Sequence, residues 1–160
     1  MSELEDKLAA LESAEAVFSQ NELPYALIGG LAVAVRSGVP RATLDSDFAV
    51  PSSVDRAWLS DRFAAVGFQL KGRFPHTLHL LHGSGEPLRL VFDPEFDAMI
   101  ERAELLQLGD IDLKVVTRDD LLAMKRRAAA DPERCRSKSL RDQADVVLLE
   151  GDTREAVEGW

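Results

Sequence analysis

Apolar positions recur at helical spacing from Glu3 to Gln20, through Leu4, Leu8, Leu11, Ala14 and Phe18, and predict an amphipathic helix that packs on a sheet. Asn21 to Pro24 links it to a short apolar strand, Tyr25 to Ile28, which halts at Gly29-Gly30. A second helix starts there, with Leu31, Val33, Ala34 and Val35 on a mostly apolar surface, and Gly38-Val39-Pro40 stops it. From Leu44 to Val50 the pattern alternates as in a strand. Asp45, Asp47 and Ala49 share one face, and Leu44, Phe48 and Val50 the other.

Downstream, Pro51-Ser52-Ser53 reads as a turn and N-cap before a helix from Val54 to Val66, with Trp58, Leu59, Phe63 and Val66 at core spacing. Gly67 to Lys71 is a short strand. His76 to His82 and Leu88 to Asp93 flank a glycine-rich turn and predict an antiparallel hairpin. Phe96 to Leu108 reads as a helix or helix-like connection, and Ile111 to Val116 as a further strand with Asp112 and Lys114 facing outward. Thr117 caps a helix carrying Leu121, Leu122, Met124 and Lys125; Asp131-Pro132 breaks it, and another runs from Ser139 to Leu149. Gly151 to Trp160 is a polar tail without periodicity.

At 160 residues the chain is long enough for one domain with a hydrophobic core. No apolar run reaches the length of a membrane span, and the acidic start lacks a signal-peptide pattern, so the expected location is cytoplasmic with no membrane partner. A lone cysteine, Cys135, allows no internal disulfide. The net charge of −9 argues against a surface that grips nucleic acid throughout. The charge is uneven, however: seven basic residues against two acids lie between Lys125 and Arg141, enough for one face to meet a phosphate-bearing partner.

The chemistry concentrates between Tyr25 and Val50. Two carboxylates about 7 Å apart on one strand face are useful where they share a divalent cation, and magnesium takes one or two protein carboxylates together with water and phosphate oxygens. The glycine pair lets the backbone approach a ligand, and the helix behind it offers unpaired N–H groups to an anion. A phosphate chain lying between Gly30 and a metal on Asp45 and Asp47 is the functional reading; a solvated strand face is the plain one. His76, His79 and His82 invite a zinc reading, but strand parity turns His79 away from the other two.

Gly29-Gly30 followed by R-x-T-x-D-x-D from Arg41 to Asp47 resembles the nucleotidyltransferase superfamily of the polymerase-β type, in particular minimal nucleotidyltransferases and AbiEii-like proteins of toxin–antitoxin systems. Lys125, in a D-L-x-x-x-K-like pattern, and the R-D-x-x-D run holding Asp142 and Asp145 extend the likeness over roughly Leu23 to Leu149. The resemblance implies an α/β (α+β) fold: one nucleotidyltransferase-like domain over 1–160, with an N-terminal helix 3–20, a core 23–116 built on a small mixed sheet, and C-terminal helices 118–150. It implies Mg2+ (or Mn2+) on Asp45 and Asp47, and a nucleoside triphosphate held by Gly29, Gly30, Arg41, Thr43 and Lys125. It also implies a protein or RNA acceptor or a toxin–antitoxin partner.

One position departs from the family pattern. Where the resemblance expects a third acid on the strand beside D-x-D, this chain has Arg89; Asp93 is the nearest acid of the same parity and is the expected substitute. Asp142 and Asp145, three apart on one helical face, are expected to pair with Lys125 or Arg127 and orient the site. Two function classes therefore stand: an enzyme transferring a nucleoside monophosphate to a hydroxyl, and a degenerate nucleotide-binding or toxin–antitoxin partner protein in which Arg89 faces the aspartates. A structural adaptor leaves the glycine pair and aspartates unexplained.

Overall fold

A computed structural model describes residues 3–38 and 45–151. Seven strands form one mixed sheet: β1 (Ala26–Ile28), β2 (Ser46–Ala49), β3 (Phe68–Arg73), β4 (Thr77–His82), β5 (Pro87–Val91), β6 (Glu104–Leu108) and β7 (Ile111–Val115). Their order is β3-β4-β5-β2-β1-β7-β6. β1 runs antiparallel to β2 and parallel to β7, and β2 runs parallel to β5. Six helices accompany it: α1 (Glu3–Gln20), α2 (Gly29–Ser37), α3 (Arg56–Ala64), α4 (Asp97–Arg102), α5 (Arg118–Ala130) and α6 (Arg136–Glu150).

The sheet is covered on both faces at its centre, so β1 is buried throughout. On the Phe48 face, α1 and α3 supply aromatic packing: Phe18 stacks on Tyr25 with centroids 4.2 Å apart and meets Phe48 and Phe63 at 5.4 and 5.6 Å. Offset and edge contacts of this kind add to the burial of the rings. On the Asp47 face, α2 packs against α5 and α6. Gly38, at φ 70°, closes α2, and Arg36 ties its last turn to β7 by donating to Val116 O at 3.1 Å and Val115 O at 3.3 Å. Those contacts fix the axis of α2, and hence where its N-terminus points.

Three expectations are corrected. The segment expected as a helix to Leu108 divides into a 3-10 turn (Pro94–Phe96), α4 and the strand β6, because Gly109-Asp110 is a two-residue hairpin turn that pairs Leu108 with Ile111. Gly109 supplies the positive φ, 60°, that such a turn favours. The cap of α3 is Asp55, which accepts from Trp58 N, and not a serine. Trp58 sits at the rim, 38% exposed with the Arg62 guanidinium over its ring at 5.9 Å, while Leu59 and Phe63 enter the core.

Tyr25, the chain's one tyrosine, provides a check on this core. Its hydroxyl accepts from Lys114 N at 3.0 Å, and burial pushes its pKa up to about 12. The folded state holds the phenol proton more tightly than the unfolded chain, so stability is full below pH 10 and is lost as pH rises from 10 towards 12. A phenolate absorbance titration is expected to show a midpoint well above the one measured in denaturant. A midpoint near 10 with the fold intact contradicts the packing described.

Candidate functional site

Ile28, the last residue of β1, pairs with Asp47 on β2, and Asp47 pairs with Arg89 on β5. The C-terminal end of β1 therefore lies beside the N-terminal ends of two parallel strands, and the chain turns from β1 straight into α2. Gly29 makes that turn at φ 75°, a left-handed conformation that glycine adopts without steric cost. It also makes room: a Cβ on Gly29 would lie 2.6 Å from Asp47 Oδ2. The Asp47 carboxylate thus sits against the first residue of α2, whose N-cap, Ile28, has no side chain to satisfy the helix N–H groups.

Arg89 faces both aspartates. Its Nε donates to Asp47 Oδ1 at 2.8 Å, its Nη2 donates to Asp47 Oδ2 at 3.1 Å, and the same Nη2 lies 3.2 Å from Asp45 Oδ2. A planar guanidinium gripping a carboxylate through two parallel bonds is the strongest form of this pairing. Burial pushes the Asp47 carboxyl above the ordinary carboxylate range, and the bonds and charge of Arg89 pull it back only in part. Burial works against the charge of Arg89 too, but the bond to Asp47 and the two carboxylate charges hold it cationic.

The remaining expected site residues divide. The Lys125 amine lies 3.3 Å from Asp142 Oδ1 and 3.1 Å from Asp145 Oδ2, joining α5 to α6 through two fully buried carboxylates. Arg134 donates to the second oxygen of Asp142. Lys125 is the partner in this cluster, whereas Arg127 pairs with Glu95. The Lys125 charge also reaches Asp47 and favours its ionised form. Gly30 is the second residue of α2, within its first turn. Arg41 and Thr43 lie outside the described residues.

Asp93 is corrected as a stand-in for the third acid. It lies past the end of β5, four residues beyond Arg89, about 13 Å along an extended chain, and caps the 3-10 turn by accepting from Glu95 N. Parallel pairing of β2 and β5 carries it away from Asp47 towards the opposite ends of those strands. His79, set aside as a zinc ligand, is the cross-strand partner of Arg89, and its ring packs at a tilt on Phe74 with centroids 4.6 Å apart. The parity that turns it away from His82 is the signal for that placement. His82 instead packs on Phe68.

The donor set does not fit a divalent cation as it stands. Arg89 occupies both oxygens of Asp47 and touches Asp45. Even swung aside, it remains tethered next to Asp47. At about 7 Å a guanidinium and a divalent ion repel by about 5 kcal/mol at an effective dielectric of about 20, less the solvent screening due at a side chain that is 39% exposed.

No protein-family model matches the sequence, and no curated protein matches it. Solved structures do. They include the lincomycin-bound lincosamide antibiotic adenylyltransferase LnuA (TM-score 0.64, 15% identity, covering 88% of this chain and 94% of that one). ANT(2")-Ia in complex with adenylyl-2"-tobramycin matches at TM-score 0.64 and 16% identity, over 96% of this chain and 94% of that one. The Megavirus polyadenylate synthase matches at TM-score 0.61 and 13% identity, over 92% of this chain and 32% of that one. The chain has the nucleotidyltransferase fold, with the mixed sheet and flanking helices that the sequence resemblance implied. No helix among the described residues is long and apolar enough to cross a membrane.

Proposed function

We propose that this chain binds a nucleoside triphosphate against the N-terminus of α2, where the sequence resemblance puts the transferase site, and that Arg89 holds nucleotidyl transfer by the wild-type protein weak or silent. The reading rests on one observation: at the meeting of β1, β2 and β5, an uncapped helix N-terminus adjoins two aspartates gripped by an arginine. Gly29 and Gly30 admit the phosphates to the backbone amides, and the dipole of α2 favours their charge. Lys125, though paired with Asp142 and Asp145, adds a smaller charge effect that favours the ionised form of Asp47. By the sequence resemblance, Arg41 and Thr43 complete the phosphate contacts.

Of the two function classes, the geometry favours the degenerate one, because Arg89 stands where a third acid would give general-base help and Asp93 is remote. Nucleotidyl transfer to a protein or RNA hydroxyl is the reaction class that the resemblance implies for a site of this design. A toxin–antitoxin partner is the protein-binding context that the resemblance suggests.

The binding site is tested at Gly30. Gly30→Val is expected to weaken binding of a fluorescent nucleoside triphosphate by about tenfold or more, since a branched side chain in the first turn blocks phosphate approach. Ala34→Val, on the same helix away from its N-terminus, is the control. Equal binding by both variants, with matching circular dichroism, sinks the assignment.

A further inference from the structure

We propose that the cation shared by Asp45 and Asp47 is the chain's own Arg89, and that this site takes the phosphates of a nucleotide without a divalent metal ion. The inference rests on the nucleotide-binding reading above and says how that binding works. Arg89 is not a surface side chain that happened to fold over. It is the register partner of Asp47 on the adjoining parallel strand, so the backbone delivers its guanidinium to the carboxylates in every molecule. Asp45, the residue just before β2, also reaches the guanidinium, which bridges both carboxylates.

The carboxylate has its own seat. Asp47 lies against Gly29, whose missing Cβ leaves the room that its Oδ2 takes: a methyl group there would lie 2.6 Å from that oxygen. Arginine stays charged across the accessible pH range, so the guanidinium is available as a cation whenever the carboxylates are ionised. A divalent ion would have to displace two hydrogen bonds from Asp47 and then sit beside the displaced guanidinium. An incoming phosphate meets a guanidinium that is partly exposed and already positioned near the first turn of α2, which has no side-chain cap, and it competes there with the two carboxylates for the charge of Arg89. Arginine and helix amides are both good phosphate partners.

The test uses the full chain and two probes. In the first, Mn2+ alone is titrated and bound metal is followed by electron paramagnetic resonance. Wild type is expected to bind no Mn2+ at millimolar concentration, whereas Arg89→Asp and Arg89→Gln bind it, the former more tightly. Arg89→Gln keeps the test informative should three adjacent acids prevent folding of Arg89→Asp. In the second, ATP binding is measured by calorimetry with excess EDTA and with magnesium. The wild-type affinity is expected to change less than about twofold between the two, while that of Arg89→Gln rises at least tenfold on adding magnesium. Wild-type binding of ATP that needs magnesium, or Mn2+ bound by wild type as tightly as by Arg89→Gln, overturns the inference and leaves the nucleotide site standing. No ATP binding by wild type in either condition overturns the nucleotide site itself, and this inference with it.

Discussion

Arg89→Asp is expected to raise magnesium-dependent nucleotidyl transfer about 10- to 100-fold over wild type, measured as label passed from alpha-labelled triphosphates into protein or RNA of a cell lysate. Two changes combine. The guanidinium that occupies the Asp47 oxygens is removed, and a third carboxylate appears on the strand beside Asp47, where the sequence resemblance expects an acid. Each 1.4 kcal/mol of relieved repulsion is worth about tenfold, and the screened repulsion between Arg89 and a divalent ion is of that order or a few times larger. The gain should vanish when Asp45→Ala is added. A wild type that transfers well, and an Arg89→Asp variant that transfers less, would show that Arg89 assists the reaction and would falsify the restrained-site reading.

The second large effect is on stability. Lys125→Met is expected to destabilise the fold by about 3 to 5 kcal/mol, because it leaves Asp142 and Asp145 buried with one cation fewer between them. Arg134 still bonds Asp142, but its own side chain is partly exposed and its charge is correspondingly screened. Asp142→Asn should cost less, since the amide keeps a hydrogen-bond acceptor for Lys125 and one buried charge is gone. The double variant Lys125→Met with Asp142→Asn should recover part of the loss, as expected for side chains in one network. Chemical denaturation with the midpoint and slope both measured decides this. A Lys125→Met cost below about 1 kcal/mol, the size expected of an exposed ion pair, would mean that the two aspartates are solvated rather than paired.

Much of the site is legible in local sequence. Glycines that end an apolar strand and begin a helix, and alternating aspartates on the next strand, depend on backbone freedom and on strand parity, which neighbouring residues set. Leu11, Ala14 and Phe18 of α1, the cap at Thr117 and the hairpin between β4 and β5 are local in the same sense, and α1 runs over the expected residues, although Leu4 at its start is exposed. β6 is not legible as a strand. Its leucines at 105, 106 and 108 suit either period, and only pairing across the Gly109-Asp110 turn to β7 chooses between them.

Composition and local pattern are enough to say which residues carry charge at the site and which elements hold them: Asp45 and Asp47 at the start of one strand, Arg89 in another, Lys125 and Asp142 on successive helices. How those charges meet is a matter of long-range packing. Asp47 and Arg89 are joined by the parallel register of β2 on β5, a pairing between segments 42 residues apart that no local pattern specifies. The same register removes Asp93 from the site, since parallel strands carry residues that follow Arg89 steadily away from the start of β2. Lys125 is turned onto Asp142 and Asp145 by the packing of α5 on α6, because two buried carboxylates require a nearby cation and the amine at the middle of α5 lies within reach of both.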